Sequence, residues 1–158
     1  MQEFWRESSP MEKLFVYGTL RTPCDTDAED TRNYELVADE VISAQPATFD
    51  GADLLSFIHY PGIKPGEGTV VGELFDLTDA GLEICDGIEA HPDFFWRTVA
   101  PVSTETGEKV RAWIYWAPAT MHVDGELIPS GDWFDRNRSR SDGRTPVEAL
   151  AEDRQKHL

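Results

Sequence analysis

Basic residues are scarce in this chain. Against 30 Asp and Glu there are 14 Lys and Arg, for a net charge of -16 over 158 residues. Nucleic-acid binding draws on Lys and Arg to neutralise phosphates, so this balance argues against it. It equally argues against docking on anionic membranes, and is consistent with solubility or life at high salt. Cysteine is nearly absent. Cys24 and Cys85 form no C-x-x-C pair, which speaks against a zinc knuckle or a thioredoxin-type site. Nothing in the sequence requires the disulfide that could join them, and they read as reduced thiols of a cytosolic protein. No apolar run approaches the roughly 18 residues of a membrane span. Met1 to Lys13 carries five charges and has no apolar stretch of a secretory signal. The expectation is a soluble, cytoplasmic protein without membrane contact. The chain also has no internal repeat and no low-complexity tract.

Catalytic signatures are missing too. There is no G-x-x-x-x-G-K-[ST] phosphate loop and no G-x-S-x-G elbow. His59, His91, His122 and His157 have no ligand spacing, so they are not expected to bind a metal.

What is present is material for a core. Hydrophobic residues make up 40% and aromatics 11%, with five Trp and eight Phe, most of them expected inside. A single domain of this length buries about two-thirds of its unfolded surface and needs no staple. Leu14-Phe15-Val16-Tyr17 reads as a buried strand that stops at Gly18. Arg21 to Asn33 reads as a loop or short helix. Tyr34 to Phe49 should hold at least one strand, and Ala52 to Tyr60 another. Pro61-Gly62-Ile63-Lys64-Pro65-Gly66 should be a loop, because Pro and Gly oppose regular pairing. Thr69 to Leu77 predicts a strong strand. Thr78 suits a helix N-cap, with a helix from Ala80 to about Glu89. Phe94–Val102 and Val110–Trp116 should form a hairpin around Thr104 to Glu108. Thr145-Pro146 with Glu148 predicts the start of a terminal helix. Arg136, Arg138, Arg140 and Arg144 read as a solvated segment, or as a site for an acidic ligand or for the protein's own acidic surface. The pattern predicts an α+β fold with a largely antiparallel, barrel-like sheet.

Two elements could carry chemistry. Tyr17-Gly18-Thr19-Leu20 follows a buried strand, and Gly18 lets a ligand approach the main chain. Successive amides there could cradle a carboxylate or oxyanion; the alternative is a structural turn. Glu89 falls in line with Leu82 and Cys85 on the core-facing helix stripe. Burial and a helix C-terminus would both raise its pKa and make it a usable base near neutrality. The alternative is an idle, solvated Glu. Asp86 is the rival carboxylate, its alternative being a structural role in which it hydrogen-bonds backbone near the helix end.

Four segments resemble the gamma-glutamylcyclotransferase-like superfamily: Leu14 to Leu20, Tyr60-Pro61-Gly62, Val71 to Leu77, and Cys85-Asp86-Gly87-Ile88-Glu89 through Trp96-Arg97 to Tyr115. Gly131-Asp132-Trp133 is similar to the family's closing segment. The resemblance implies a small β-barrel with flanking helices over residues 13–134, leaving 1–12 as a mobile N-terminal tail and 135–158 as an Arg-containing extension. It implies a pocket formed by Tyr17, Gly18, Thr19 and Leu20 with Glu89 as the catalytic carboxylate. Trp96 stands before Arg97 where the family often carries Tyr, and becomes a further candidate substrate contact. The implied reaction is cyclisation of a small gamma-glutamyl compound, releasing 5-oxoproline and an amine or amino acid, as a transferase or lyase that needs no metal or cofactor. Two other readings stay open: a related enzyme for a different γ-glutamyl-like amide, and a non-catalytic small-molecule-binding or interaction module on the same fold, in which Glu89 would pair with Arg97.

Overall fold

The computed structural model describes residues 11–24 and 27–136. The proposed N-terminal tail up to residue 10, the terminal helix and Arg138, Arg140 and Arg144 lie outside the described residues. Alternating apolar runs produce five long strands: β1 (Met11–Val16), β2 (Val41–Ser56), β3 (Pro61–Thr78), β4 (Trp96–Thr104) and β5 (Lys109–Trp116). A two-residue β6 (Glu126–Leu127) adds to β2. The sheet order is β3-β1-β5-β4-β2-β6, and β2 also pairs with β3. That extra pairing closes β1 to β5 into a barrel. Every pairing is antiparallel except β1 with β5, which meet in parallel at Leu14 and Trp113. The fold is therefore the expected α+β barrel, with one parallel seam.

Barrel closure explains where local reading failed. β2 is one bent strand of 16 residues, not two, with register shifts between Val41 and Ser43 and between Asp50 and Ala52. Such shifts bend a strand without ending it. Leu36 and Val37 belong to a short helix, α1 (Tyr34–Val37), and not to a strand. Residues 61–66, expected as a loop, begin β3 instead. Pro61, Ile63 and Pro65 pair with Ser56, Leu54 and Ala52 on β2. β1 pairs only with 73–78, so the other edge of this segment carries no strand ladder, and a missing proline N–H is tolerated there.

The barrel interior is filled by Phe15, Phe49, Leu54, Ile63, Val70, Val102, Ile114 and Trp133. A second cluster lies under α2 (Asp79–Glu89) and joins Leu14, Val16, Phe75, Leu77, Leu82, Cys85 and Phe95. As expected, Thr78 caps α2, its side-chain oxygen accepting from Gly81 N–H at 3.0 Å. At the far end of the domain Gly131 has φ +73°, and a Cβ there would lie 1.8 Å from the Thr69 carbonyl oxygen. Only glycine permits both the angle and the approach. Arg136 is not solvated. It is buried in an ion pair with Asp30 and lies 4.4 Å from the centre of the Trp133 ring. No helix among the described residues is long and apolar enough to cross a membrane.

Candidate active site

β1 delivers its last residues directly to a cavity of about 210 Å³. Tyr17 follows the strand and is buried, its hydroxyl donating to the Tyr115 carbonyl oxygen at 2.7 Å. The chain then turns, and Arg21 N–H donates to the Gly18 carbonyl at 2.9 Å. A Cβ on Gly18 would stand 2.3 Å from Cγ of Pro61, so the absent side chain is what lets the turn lie against the start of β3. Asn33 pins the turn from outside. Its Nδ2 donates to Thr19 Oγ1 at 2.8 Å, and its backbone N–H donates to the Thr19 carbonyl at 3.0 Å. The N–H groups of Gly18, Thr19 and Leu20 find no acceptor among the described residues.

Glu89 is the last residue of α2, partly buried. Ala90 ends the helix at φ 55°, its N–H returning to the carbonyls of Asp86 and Gly87. Phe95 N–H donates to the Glu89 carbonyl at 3.2 Å, folding the following aromatic residues back over the carboxylate. Glu89 shares the cavity with Tyr17, Gly18, Thr19 and Leu20, walled by Phe15, Tyr60, Ile88, Phe94, Phe95 and Tyr115. Burial in these surroundings pushes the Glu89 carboxyl up to about 7. No ion pair or side-chain hydrogen bond engages it among the described residues. Tyr17 and Tyr60 are both raised, by burial first and then by the nearby Glu89 charge. Burial also pushes the Cys85 thiol up to about 12, with help from Glu89 and Asp86. That thiol stays protonated and is no nucleophile.

Asp86 has a different task. It accepts two hydrogen bonds from Arg97, at 2.8 and 3.0 Å, and one from the Tyr115 hydroxyl at 2.6 Å. Burial works to raise this carboxyl, but the Arg97 and Tyr115 hydrogen bonds outweigh it and hold Asp86 below its ordinary value. The Arg97 guanidinium, 4.2 Å from the centre of the Trp113 ring, is thereby engaged. Arg97 pairs with Asp86 and not with Glu89.

The structure thus brings together Glu89 and the Tyr17 to Leu20 loop, while Trp96 is left out. Trp96 is 42% exposed, lies opposite Trp116 across the β4–β5 ladder, and stacks on it with ring centres 6.0 Å apart. Phe95, its neighbour in sequence, is the buried one that walls the cavity. Successive residues of an extended chain face opposite ways, so only one of the two can. Sequence reasoning missed Arg32, Asn33, Tyr60 and Tyr115 as wall residues. Tyr60 and Tyr115 lie in segments that carry the family resemblance, which was the available signal. Arg32 and Asn33 lie in a polar stretch without periodicity and gave none. Chemically, the cavity offers a carboxylate that changes protonation near neutrality beside unpaired amide donors.

The family model described as gamma-glutamyl cyclotransferase, AIG2-like, matches residues 14–135. The chain is 35% identical over 127 residues to the gamma-glutamylcyclotransferase family protein YtfP of Escherichia coli K12, covering 80% of this chain and 99% of that protein. The solution structure of E. coli ytfP aligns with a TM-score of 0.53 at 31% identity, over 78% of this chain and 97% of that one. A mouse AIG2-like protein shares the fold, with a TM-score of 0.58 at 24% identity over 77% and 88% of the two chains.

Proposed function

Because the chain belongs to the gamma-glutamyl cyclotransferase, AIG2-like family, we propose that it cleaves a small gamma-glutamyl amide or peptide by cyclisation. The substrate's α-amino nitrogen attacks its own γ-carbonyl carbon. A new C–N bond closes the five-membered lactam, the old amide C–N bond breaks, and 5-oxoproline leaves with an amine or amino acid. The nucleophile is already tethered, so the protein's tasks are to fold the substrate, remove an ammonium proton and stabilise the oxyanion. Glu89 takes the proton and returns it to the departing nitrogen. The N–H groups of Gly18, Thr19 and Leu20 face the developing negative charge on the γ-carbonyl oxygen.

The observation that carries this reading is Glu89 itself: a carboxylate raised to about 7 by burial which, among the described residues, has no cationic partner and shares its cavity with three residues whose amides lack acceptors. A Glu locked to an arginine would remain an anion at neutral pH and would serve poorly as a proton shuttle. Arg97 is already engaged by Asp86.

The test is 5-oxoproline release from a panel of gamma-glutamyl amines, amino acids and dipeptides. The expected outcome is release by the wild type and a loss of about 100-fold or more in Glu89→Gln, in the range for removing a general base. The acid limb of kcat/KM should fall near pH 7 and vanish in the variant. Equal turnover by Glu89→Gln would sink the assignment of Glu89 as the base. No release from any substrate would favour a binding module or a different γ-glutamyl-like amide.

A further inference from the structure

Among the described residues, Arg32 and Glu89 are the only charged residues lining the cavity. The arginines elsewhere at partly or fully buried positions are committed. Arg21 pairs with Glu73 and Asp132, Arg97 with Asp86, and Arg136 with Asp30. Arg32 is held only loosely. Its Nη1 donates to the Glu29 carbonyl at 3.2 Å, and the Glu29 carboxylate lies 3.7 Å away, on a side chain that is 68% exposed. A pair so exposed contributes little and exchanges readily for a better-placed anion. The guanidinium carries five donors in a planar fork, and among the described residues only Nη1 has an acceptor.

The position of Arg32 is nevertheless fixed. It directly precedes Asn33, whose two hydrogen bonds to Thr19 fasten this segment to the Tyr17 to Leu20 loop. The residue therefore stands beside the loop at the cavity wall. The two charges of the cavity have opposite sign, and so do the two charges on the α-carbon of a gamma-glutamyl group. An ammonium facing Glu89 would leave a carboxylate in need of a cation. The whole molecule, at -16, repels that carboxylate, so the cation must be local.

We infer that Arg32 binds the α-carboxylate of the glutamyl moiety and so orients the α-amino group towards Glu89. This rests on the reading of the cavity as a gamma-glutamyl site, but not on turnover. Arg32 is a recognition residue common to all substrates of the class, independent of the leaving amine.

The experiment is a binding titration of the full chain with 5-oxoproline, which keeps the carboxylate, and with 2-pyrrolidinone, the same lactam without it. Calorimetry or ligand-observed NMR reads both without any catalysis. The wild type should bind 5-oxoproline more tightly than 2-pyrrolidinone. Arg32→Gln should weaken 5-oxoproline by about tenfold or more, the scale of a charge-assisted hydrogen bond, and leave 2-pyrrolidinone unchanged. Arg32→Lys should recover part of the loss. Glu89→Gln should still bind 5-oxoproline, so failure of Glu89 as the base and failure of Arg32 as the anchor give different results. In turnover, Arg32→Gln should raise KM for gamma-glutamyl amines and gamma-glutamyl amino acids alike. Unchanged 5-oxoproline affinity in Arg32→Gln, or no binding by the wild type, overturns the inference. So does a KM penalty confined to substrates whose leaving group bears a carboxylate, which would assign Arg32 to the leaving group.

Discussion

Glu89 sits where two effects disfavour its charge. Its cavity is walled by aromatic and aliphatic side chains, and it is the final residue of α2, at the negative end of the helix dipole. Burial is the named cause of a carboxyl raised to about 7. Such a shift has a consequence for stability. The folded state holds the proton more tightly than the unfolded chain, whose glutamate titrates near 4.5. The stabilising contribution is therefore full below about pH 4.5 and is lost as pH rises through about 7. Replacing Glu89 by Gln removes the titration. Relative to the wild type, Glu89→Gln should gain on the order of 1–3 kcal/mol at pH 8 and little at pH 5, checked by thermal or urea unfolding at both pH values. An equal difference at the two pH values would contradict a raised carboxyl. The sequence carried the signal for this residue, since Glu89 is in step with Leu82 and Cys85. It did not carry the signal for Arg32, which depends on a neighbour in space, Thr19, bonded to Asn33.

Between elements, one ion pair ties α2 to the β4–β5 hairpin. Asp86 on α2 meets Arg97 on β4 and the Tyr115 hydroxyl on β5. Tyr115 in turn receives the Tyr17 hydroxyl on its carbonyl oxygen, so the chain of contacts ends at the Tyr17 to Leu20 loop. Asp86→Asn keeps the shape but loses the charge that holds Arg97. The expected cost is about 1–3 kcal/mol, that of leaving a partly buried charge with a weakened partner. A drop of about tenfold in kcat/KM should accompany it, through a displaced Tyr115 wall. Denaturant unfolding and steady-state kinetics read the two effects separately. Unchanged stability would mean that Arg97 is held by its stacking on Trp113 alone. Asp86, the rival carboxylate of the sequence reading, is held by the side chains of Arg97 and Tyr115, and not by backbone near the helix end as its structural alternative had it. Sequence spacing could not separate the two, because Asp86 and Glu89 are one turn apart and differ only in what lies opposite each.

For the molecule as a whole, the charge of -16 is a load on the compact state. Salt screens it, the Debye length falling from about 30 Å at 0.01 M to about 3 Å at 1 M. Tm should therefore rise with added NaCl, by about 2–8 °C for the one or two kcal/mol that screening would return to a domain of this size. A flat or falling Tm would mean that the ion pairs involving Asp30, Glu73, Asp76 and Asp86 outweigh the repulsion.

Strand periodicity, the Thr78 cap, the helix ending at Glu89 and the break at Gly18 were all determined by the sequence, because each depends on neighbours within one turn or one strand. The tertiary structure decided the rest. It made one bent β2 of two expected strands and drew residues 61–66 into β3. It turned Trp96 outwards onto Trp116, gave Arg97 to Asp86, and set Arg32, Asn33, Tyr60 and Tyr115 around Glu89. Those outcomes depend on closing a barrel, where residues as far apart as Tyr17 and Tyr115 share a hydrogen bond. Local pattern records which face of an element is apolar, and only the closed sheet determines what that face meets.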